Sequence, residues 1–184
     1  LVKMKGSLLV AEKKETLDKL SQHSEYLQSI GVTNQLIGQD ALLTREPALS
    51  ESQIGGIFYP DTGHVVDLCA LHQKLTEAFL QAGGQVLTHC EVTEIISTSN
   101  QQAVLTTTQG QFTGQKIVIA GGAFSKSLVK MVSRIKVPLE TERGYHLMLP
   151  NELGRLSIPV SSMDRRFIMT PMSQGLRLAG TVEY

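Results

Sequence analysis

The chain has 184 residues, 41% of them hydrophobic, and its 17 basic residues balance 17 acidic ones. This balance gives neither nucleic acid nor an anionic membrane surface electrostatic support as a partner. No apolar stretch of about 20 residues is present, so no transmembrane helix is expected, and the opening LVKMKGSLLV lacks the apolar core of a signal peptide. Two cysteines are too few for a disulfide scaffold and fit a reducing compartment.

The first 60 residues predict a strand and two helices. Residues 7–11 (SLLVA) have the pattern of a strand, and Glu15–Ile30 carries an apolar stripe at helical spacing that ends before a glycine. Residues 35–52 indicate a short helix that stops before Pro47, followed by a loop. The run Arg45-Glu46-Pro47 is a candidate polar contact site, although a surface turn is the favoured interpretation.

The middle of the chain predicts a turn, a capped helix and a series of strands. Residues 55–66 (GGIFYPDTGHVV) indicate two short strands around a Pro-Asp-Thr-Gly turn, and Asp67 is a suitable N-cap for the next helix. That helix carries a long apolar stripe and ends at two glycines. Strands then follow at 85–89, 92–98, 103–108 and 112–120, with turns at Ser99-Asn100 and Gln109-Gly110.

A glycine pair follows the last of these strands. An apolar strand, Lys116–Ala120, is predicted to run into Gly121-Gly122 and then into a helix over 125–133. Glycines have no Cβ to block a ligand, and free N–H groups at a helix start favour anionic groups such as phosphate. Tight turns use glycine pairs just as often, so the pair alone is a weak signal for a cofactor site.

The last part of the chain, at 137–149 and 157–183, predicts mainly strands. A β/α/β stretch is therefore flanked by two β-rich pieces whose patterns do not continue it. This order predicts a mixed α+β and α/β fold with two interleaved domains, residues 1–60 and 135–184 forming one and residues 61–134 the other. Both ends fall inside apparent strands, which indicates a piece of a longer protein.

Four stretches of the chain carry a family resemblance when they are taken together and in this order. They are REPALS with GGIFYPDTGHVVD; EAFLQAGGQVLTHCEVTEI; KIVIAGGAFSKSL; and ERGYHLMLP with RFIMTPMSQGLRLAGTVE. The combination resembles the FAD-dependent D-amino-acid oxidase/dehydrogenase family, and the dehydrogenase branch most of all. The resemblance implies a nucleotide-binding α/β domain for FAD and a β-rich substrate domain. The family's N-terminal GxGxxG motif and its C-terminal substrate-binding arginine have no counterpart, so weak FAD binding, or none, is expected of this fragment.

The resemblance implies five residues for FAD binding. Val92 matches a position that presents backbone N–H and C=O groups to the adenine. Ala120, Gly121, Gly122 and Phe124 match the loop beside the adenosine and pyrophosphate, where the family usually has tryptophan in place of Phe124. The alternative for Val92 is an ordinary strand residue, and for the loop it is a strand–helix turn with a core phenylalanine.

The resemblance also implies four residues for substrate binding. Tyr145 and His146 match a strand beside the flavin, and side-chain alternation lets at most one of them face the pocket. Phe167 and Met169 match the pocket wall, where some oxidases use a tyrosine hydroxyl that Phe167 lacks. Structural packing is the alternative for all four, and for a lone histidine on a strand it is the more common role.

By resemblance, the parent protein is an FAD-dependent enzyme that oxidises a D-amino acid to a 2-oxo acid and ammonia. The implied partners are the amino-acid substrate and a respiratory electron acceptor, and the five scattered histidines predict no metal site. The expected location is the cytoplasm, with peripheral contact at the inner face of the membrane as an option. The competing hypothesis is a non-catalytic ligand-binding or accessory subunit that keeps the substrate sheet without flavin.

Overall fold

The computed structural model describes residues 1–97 and 102–183, which divide into two compact units. Unit 1 comprises Leu1–Glu77 and Arg143–Glu183, and unit 2 comprises Ala78–Glu142. The helices are α1 (Lys14–Ser29), α2 (Gln39–Arg45), α3 (Leu68–Gln81) and α4 (Ser125–Val132). The strands are β1 (Val2–Lys3), β2 (Ser7–Ala11), β3 (Gln35–Gly38), β4 (Gly55–Tyr59), β5 (His64–Val65), β6 (Val92–Ser97), β7 (Ala103–Thr107), β8 (Gly110–Gly114), β9 (Arg143–Leu149), β10 (Val160–Ser162), β11 (Phe167–Met172) and β12 (Gly175–Glu183).

Unit 1 is built on a seven-stranded sheet with the strand order β3-β4-β2-β10-β11-β12-β9. Neighbouring strands are antiparallel except β2 and β10, which run parallel and pair Leu8 with Val160. A separate short ribbon joins β1 to β5. The sheet therefore combines strands from both ends of the chain, in agreement with the mixed fold class predicted from the sequence.

The two faces of this sheet bury separate apolar clusters. Because side chains alternate along a strand, Leu8 and Val10 of β2 point to one face, where the buried cluster also includes Leu42, Phe58, Leu156, Ile158, Val160 and Leu176. On the other face, Leu20 of α1 packs with Ala11 and Ile57. Full burial of one such aliphatic side chain contributes about 1.5–3 kcal/mol.

The four predicted helices are all present. Helix α1 begins one residue before the predicted start, α2 ends before Pro47, and the Asp67 carboxylate accepts the Ala70 N–H at 2.9 Å as the predicted N-cap of α3. The apolar stripe of α3 is largely exposed, since Leu75 retains 63% and Phe79 retains 52% of its accessible surface. No helix within residues 1–97 and 102–183 is long and apolar enough to cross a membrane.

Glu46 is buried, whereas the sequence favoured a surface turn for Arg45-Glu46-Pro47. Its side chain is 2% exposed and accepts hydrogen bonds from Ser157 and Ile158, including both of their backbone N–H groups at 3.0 Å. The neighbouring Arg45 guanidinium lies over the Phe58 ring, 3.7 Å from its centroid. The segment before β10 is therefore attached to the end of α2 by a carboxylate.

Unit 2 contains the three-stranded antiparallel sheet β6-β7-β8 and helix α4. Two predicted strands are wrong: residues 85–89 form a turn and irregular backbone, and the last predicted strand ends at Gly114, so Lys116–Ala120 is not a strand. No strand in the described part of unit 2 lies beside residues 115–120. A segment whose backbone groups have no neighbouring strand to bond with does not become part of a sheet, even if its sequence is typical of a strand. The predicted turn at Ser99-Asn100 lies outside the described residues.

The unit boundaries fall after Glu77 and after Glu142, whereas the sequence placed domain boundaries after residues 60 and 134. The predicted strand at 137–149 is also shorter than expected, because β9 begins only at Arg143. The assignment of the two regions to substrate and cofactor domains stays a prediction.

Candidate substrate and cofactor sites

A cavity of about 510 Å³ lies in unit 1 and is lined by the middle of β9, the start of β11, the later part of β12 and the β10–β11 hairpin. We name it cavity A. Its walls combine aromatic, cationic and aliphatic groups, contributed by Tyr145, His146, Leu147, Arg165, Arg166, Phe167, Leu178, Ala179, Gly180 and Thr181. A site with apolar walls and a few polar groups is typical of small-molecule binding.

A β-bulge shapes one wall of cavity A. The register between β12 and β9 shifts at Gly180, which lies between the pairs Ala179–His146 and Thr181–Tyr145. A Cβ on Gly180 would lie 2.5 Å from the Arg166 carbonyl oxygen and 2.8 Å from the Phe167 Cα, so only glycine fits against this backbone. The bulge therefore lets the start of β11 approach β12 closely.

The β10–β11 hairpin carries Arg165 and Arg166 and is fixed to α1 by Asp164. The Asp164 carboxylate accepts the Glu12 N–H at 2.8 Å and the Thr16 hydroxyl at 2.6 Å. Burial acts to raise the pKa of Asp164, but the hydrogen bonds outweigh burial and the pKa lies below its ordinary value. The carboxylate thus attaches the hairpin to the segment before α1 and to the first turn of that helix.

The two arginines differ in their contacts. Arg165 forms an ion pair with Glu12, with its Nε 2.8 Å from Oε1, and Glu12 retains 18% of its side-chain accessible surface. Arg166 has a left-handed backbone with φ of 56°, and its N–H donates to the Ser162 carbonyl at 2.9 Å. A non-glycine residue at positive φ costs free energy and is retained only where the surrounding structure requires it.

Tyr145, which lines cavity A, is held by its own hydrogen bond. Its hydroxyl donates to the Glu183 Oε2 at 2.6 Å, and Arg143 lies 3.6 Å from the same oxygen. The phenol proton is therefore engaged, and the phenol oxygen is left as an acceptor. The predicted donation of this hydroxyl to a carboxylate requires the bond to Glu183 to open.

Three of the four predicted substrate residues line cavity A: Tyr145, His146 and Phe167. Tyr145 and His146 both contribute, although alternation predicted only one; His146 lies at the bulge and also lines a second cavity. Met169 does not line cavity A. It packs against the core cluster and contributes, with Phe167 and Arg165, to an adjoining cavity of about 210 Å³.

Sequence reasoning missed Arg165 and Arg166. The signal was present as the adjacent pair in MDRRFIMTP, directly before the strand that was assigned to the pocket wall. Nothing local indicates where these side chains go, because Asp164 and Glu12 fix the hairpin from a distant part of the sequence.

A smaller cavity of about 260 Å³, cavity B, adjoins the start of α3 and is lined by groups including His146, Met148 and Arg177. Asp67 lies at its edge. Hydrogen bonds from the Ala70 N–H and, more weakly, from the Ser173 hydroxyl lower the pKa of Asp67 despite an opposing effect of burial. The Arg177 Nε is buried and has no hydrogen-bond partner within the described residues.

The predicted cofactor residues lie in unit 2, and Val92 lies on an edge strand. Strand β6 pairs only with β7 among the described strands. Because the Glu91 carbonyl accepts the Thr108 N–H at 3.0 Å, alternation along an antiparallel ladder directs the Val92 N–H and C=O away from β7. These backbone groups are therefore not used by the described sheet, and the role of Val92 in adenine binding stays a prediction.

The loop at Ala120–Phe124 is open in unit 2. Gly122 has φ of 54°, and a Cβ placed there would meet no atom within 4 Å. Gly122–Phe124 form one 3-10 turn before α4, and the Phe124 side chain is 79% exposed. The core-phenylalanine alternative is thus wrong for Phe124 in unit 2, and the free space at the glycine fits a closely approaching ligand.

Comparison with known proteins places the chain in a family. The model of the FAD dependent oxidoreductase (DAO) family matches residues 1–184, so the chain belongs to this family, and the predicted resemblance is confirmed. Among curated relatives, a D-amino acid dehydrogenase of Vibrio atlanticus is 30% identical over 98% of the chain. A D-amino-acid oxidase of Bradyrhizobium diazoefficiens is 32% identical over 85% of the chain.

Solved structures show the same fold. Glycine oxidase from Geobacillus kaustophilus superposes with a TM-score of 0.86 at 27% identity, covering 99% of this chain and 48% of that one. An L-alpha-glycerophosphate oxidase from Mycoplasma pneumoniae, solved with FAD bound, has a TM-score of 0.83 at 20% identity. The chain spans less than half the length of the curated relatives it matches, with 44% of the Vibrio dehydrogenase covered.

The residues of unit 2 fit part of an FAD site. The outward backbone groups of Val92 and the open space at Gly122 leave room for a closely approaching nucleotide, and the cofactor role of both residues stays a prediction. FAD is the cofactor of the family to which the chain belongs.

Proposed function

We propose that the protein containing this chain is an FAD-dependent enzyme that oxidises the C–N bond of an amino acid, with a D-amino acid as substrate. The overall reaction converts the amino acid and water to a 2-oxo acid and ammonia and passes two electrons to an acceptor. FAD, when bound, accepts those electrons, and the protein residues bind and orient the substrate.

Cavity A is the observation that carries this proposal for the described residues. Arg165 and Arg166 line the same cavity as Phe167 and the aliphatic residues of β12. Arg165 is paired with Glu12, so Arg166 is the cation left for an anionic carboxylate, and the apolar residues suit an apolar side chain. In this proposal Arg166 attracts the substrate carboxylate, while Tyr145, His146 and Phe167 form the wall. Met169 supports Phe167 from the core side.

Unit 2 supplies part of the cofactor site in this proposal. Val92 presents its backbone to the adenine, and Ala120, Gly121, Gly122 and Phe124 border the adenosine and pyrophosphate. The proposed domain plan assigns residues 61–134 to the FAD domain and residues 1–60 and 135–184 to the substrate domain. A respiratory carrier is the proposed acceptor, which would place the protein in the cytoplasm at the inner face of the membrane.

The test uses protein expressed from the whole open reading frame that contains this chain. Flavin absorbance is recorded without oxygen while a panel of D- and L-amino acids is added, and bleaching by D-amino acids is the expected result. Arg166→Gln should raise KM about 10- to 100-fold, since a hydrogen bond to a charged group contributes about 1.5–3 kcal/mol. Lys19→Gln on α1, which lines neither cavity A nor the adjoining cavity, is the control.

Two outcomes would contradict the proposal. Protein that carries flavin but is not reduced by any amino acid would exclude the reaction. Protein without flavin absorbance that still binds D-amino acids would instead support the accessory-subunit hypothesis, which no observation on the described residues favours at present.

A further inference from the structure

Unit 2 concentrates its positive charge in one short segment. Residues 78–142 contain five lysines and arginines, and four of them lie within residues 126–136, which contain no acidic residue. These four are Lys126, Lys130, Arg134 and Lys136. The net charge of the whole chain is zero, but residues 126–136 are strongly basic.

The four cations line a single open cavity of about 610 Å³, which we name the basic cavity. Ser133, Ile135, Val137 and Pro138 complete its walls. Only Lys126 has an acidic partner, Glu140 at 3.3 Å, and within residues 1–97 and 102–183 no acidic side chain lies within 4.0 Å of the other three. Three uncompensated cations on one cavity attract an anionic partner.

Helix stabilisation does not explain this cluster. Lys130 lies in the last turn of α4, where a cation interacts favourably with the helix dipole. Arg134 and Lys136 lie beyond the end of α4 at Val132 and so contribute little to that effect. Their position on the cavity wall needs another explanation.

Apolar side chains are exposed within the same segment. Ile135 is 70% exposed, and Met131 and Val132 each retain more than 40% of their accessible surface. A small free anion would use the cations but not these side chains. An interface that is both anionic and apolar uses both, and the headgroup region of a lipid bilayer has this combination.

We propose that the basic cavity, with Met131, Val132 and Ile135, is a docking surface for anionic phospholipid membranes. The cations contact phosphate groups, and the apolar side chains enter the boundary between headgroups and acyl chains. This inference rests on the proposed function in one respect, because it assigns the surface by which the enzyme reaches its membrane-bound electron acceptor.

The expected size of the effect follows from the number of cations. One lysine or arginine near an anionic leaflet contributes about 1 kcal/mol, or about a fivefold change in partitioning. Removal of the three cations without an acidic partner should therefore weaken vesicle binding roughly 100-fold. Binding should also fall steeply as ionic strength rises, because these charges are exposed and screened by salt.

The test is co-sedimentation of protein expressed from the whole open reading frame that contains this chain with vesicles of phosphatidylcholine alone or mixed with phosphatidylglycerol. The variant carries Lys130→Gln, Arg134→Gln and Lys136→Gln. The control carries Lys5→Gln, Lys13→Gln and Lys14→Gln, which remove the same charge from unit 1. Circular dichroism melting checks that both variants fold. Inorganic pyrophosphate is titrated separately to detect binding of a free phosphate ligand.

The inference is supported if the wild-type chain binds only the anionic vesicles and only the unit 2 variant loses binding. Equal loss in both variants would show simple net-charge attraction and overturn it, as would pyrophosphate binding without vesicle binding. Reduction of a soluble dye by amino acid is measured on protein from the whole reading frame. Vesicle binding without dye reduction would refute the proposed function alone, and the reverse result would refute the membrane contact alone.

Discussion

The Glu46 carboxylate offers a direct test of how unit 1 is held together. It accepts three donors, the N–H and hydroxyl of Ser157 and the N–H of Ile158, and Ile158 is only 3% exposed. Glu46→Ala leaves the Ile158 N–H without an acceptor, which costs about 1–3 kcal/mol, and loses two further bonds of about 1 kcal/mol each. The expected loss of unfolding free energy is therefore about 3–5 kcal/mol.

Urea denaturation followed by circular dichroism measures this loss. Glu46→Gln can keep the oxygen that accepts all three donors, so it should lose much less unfolding free energy than the alanine variant. Glu25→Ala, an exposed glutamate on α1, is the control and should change stability by less than about 0.5 kcal/mol. If Glu46→Ala unfolds at the same urea concentration as this control, the burial and bonding argument is refuted.

Three further predictions concern the sheet and its surroundings. Gly180→Val should push the Arg166 carbonyl away and reduce stability by about 1–3 kcal/mol, measured by thermal melting against a Gly144→Val control that has open space. Burial lowers the pKa of His64 below 6.5, so as the pH falls through 6.5 the unfolded chain binds a proton at a higher pH than the folded chain does. Stability should therefore be greatest above pH 6.5 and should decrease below it. In melting curves recorded over a pH series, His64→Gln should reduce this decrease. Asp164→Asn should reduce the loss of stability at acidic pH, because the wild-type carboxylate has a lowered pKa and stabilises the fold only while ionised.

Features set by neighbouring residues could be predicted from the sequence. Helix α1 and the Asp67 cap of α3 depend on spacing and on a side chain within three residues of its target, so both were found. The strand assigned to Lys116–Ala120 was wrong because an apolar run becomes a strand only beside a partner strand, and the sequence does not show where partners lie.

Features set by distant contacts could not be predicted. Glu46 in a polar run looks like a surface turn until Ser157 and Ile158 pack over it. The hairpin that carries Arg165 and Arg166 is held by contacts of Asp164 and Arg165 with the region of Glu12 and Thr16, far away in the sequence. The family motifs identified the neighbourhood of the pocket through Tyr145 and Phe167, but not the charged hairpin beside it.

The parallel pairing of β2 with β10 has a consequence for how the protein is made. During synthesis, β4 leaves the ribosome soon after β2 and can pair with it at once, but the other edge of β2 must wait for β10, which comes much later in the sequence. Until then the apolar strand SLLVA presents open hydrogen-bonding groups to any neighbouring nascent chain. Fast translation or a high expression temperature should therefore increase the fraction of insoluble protein. Chaperones that bind the nascent chain should decrease this fraction.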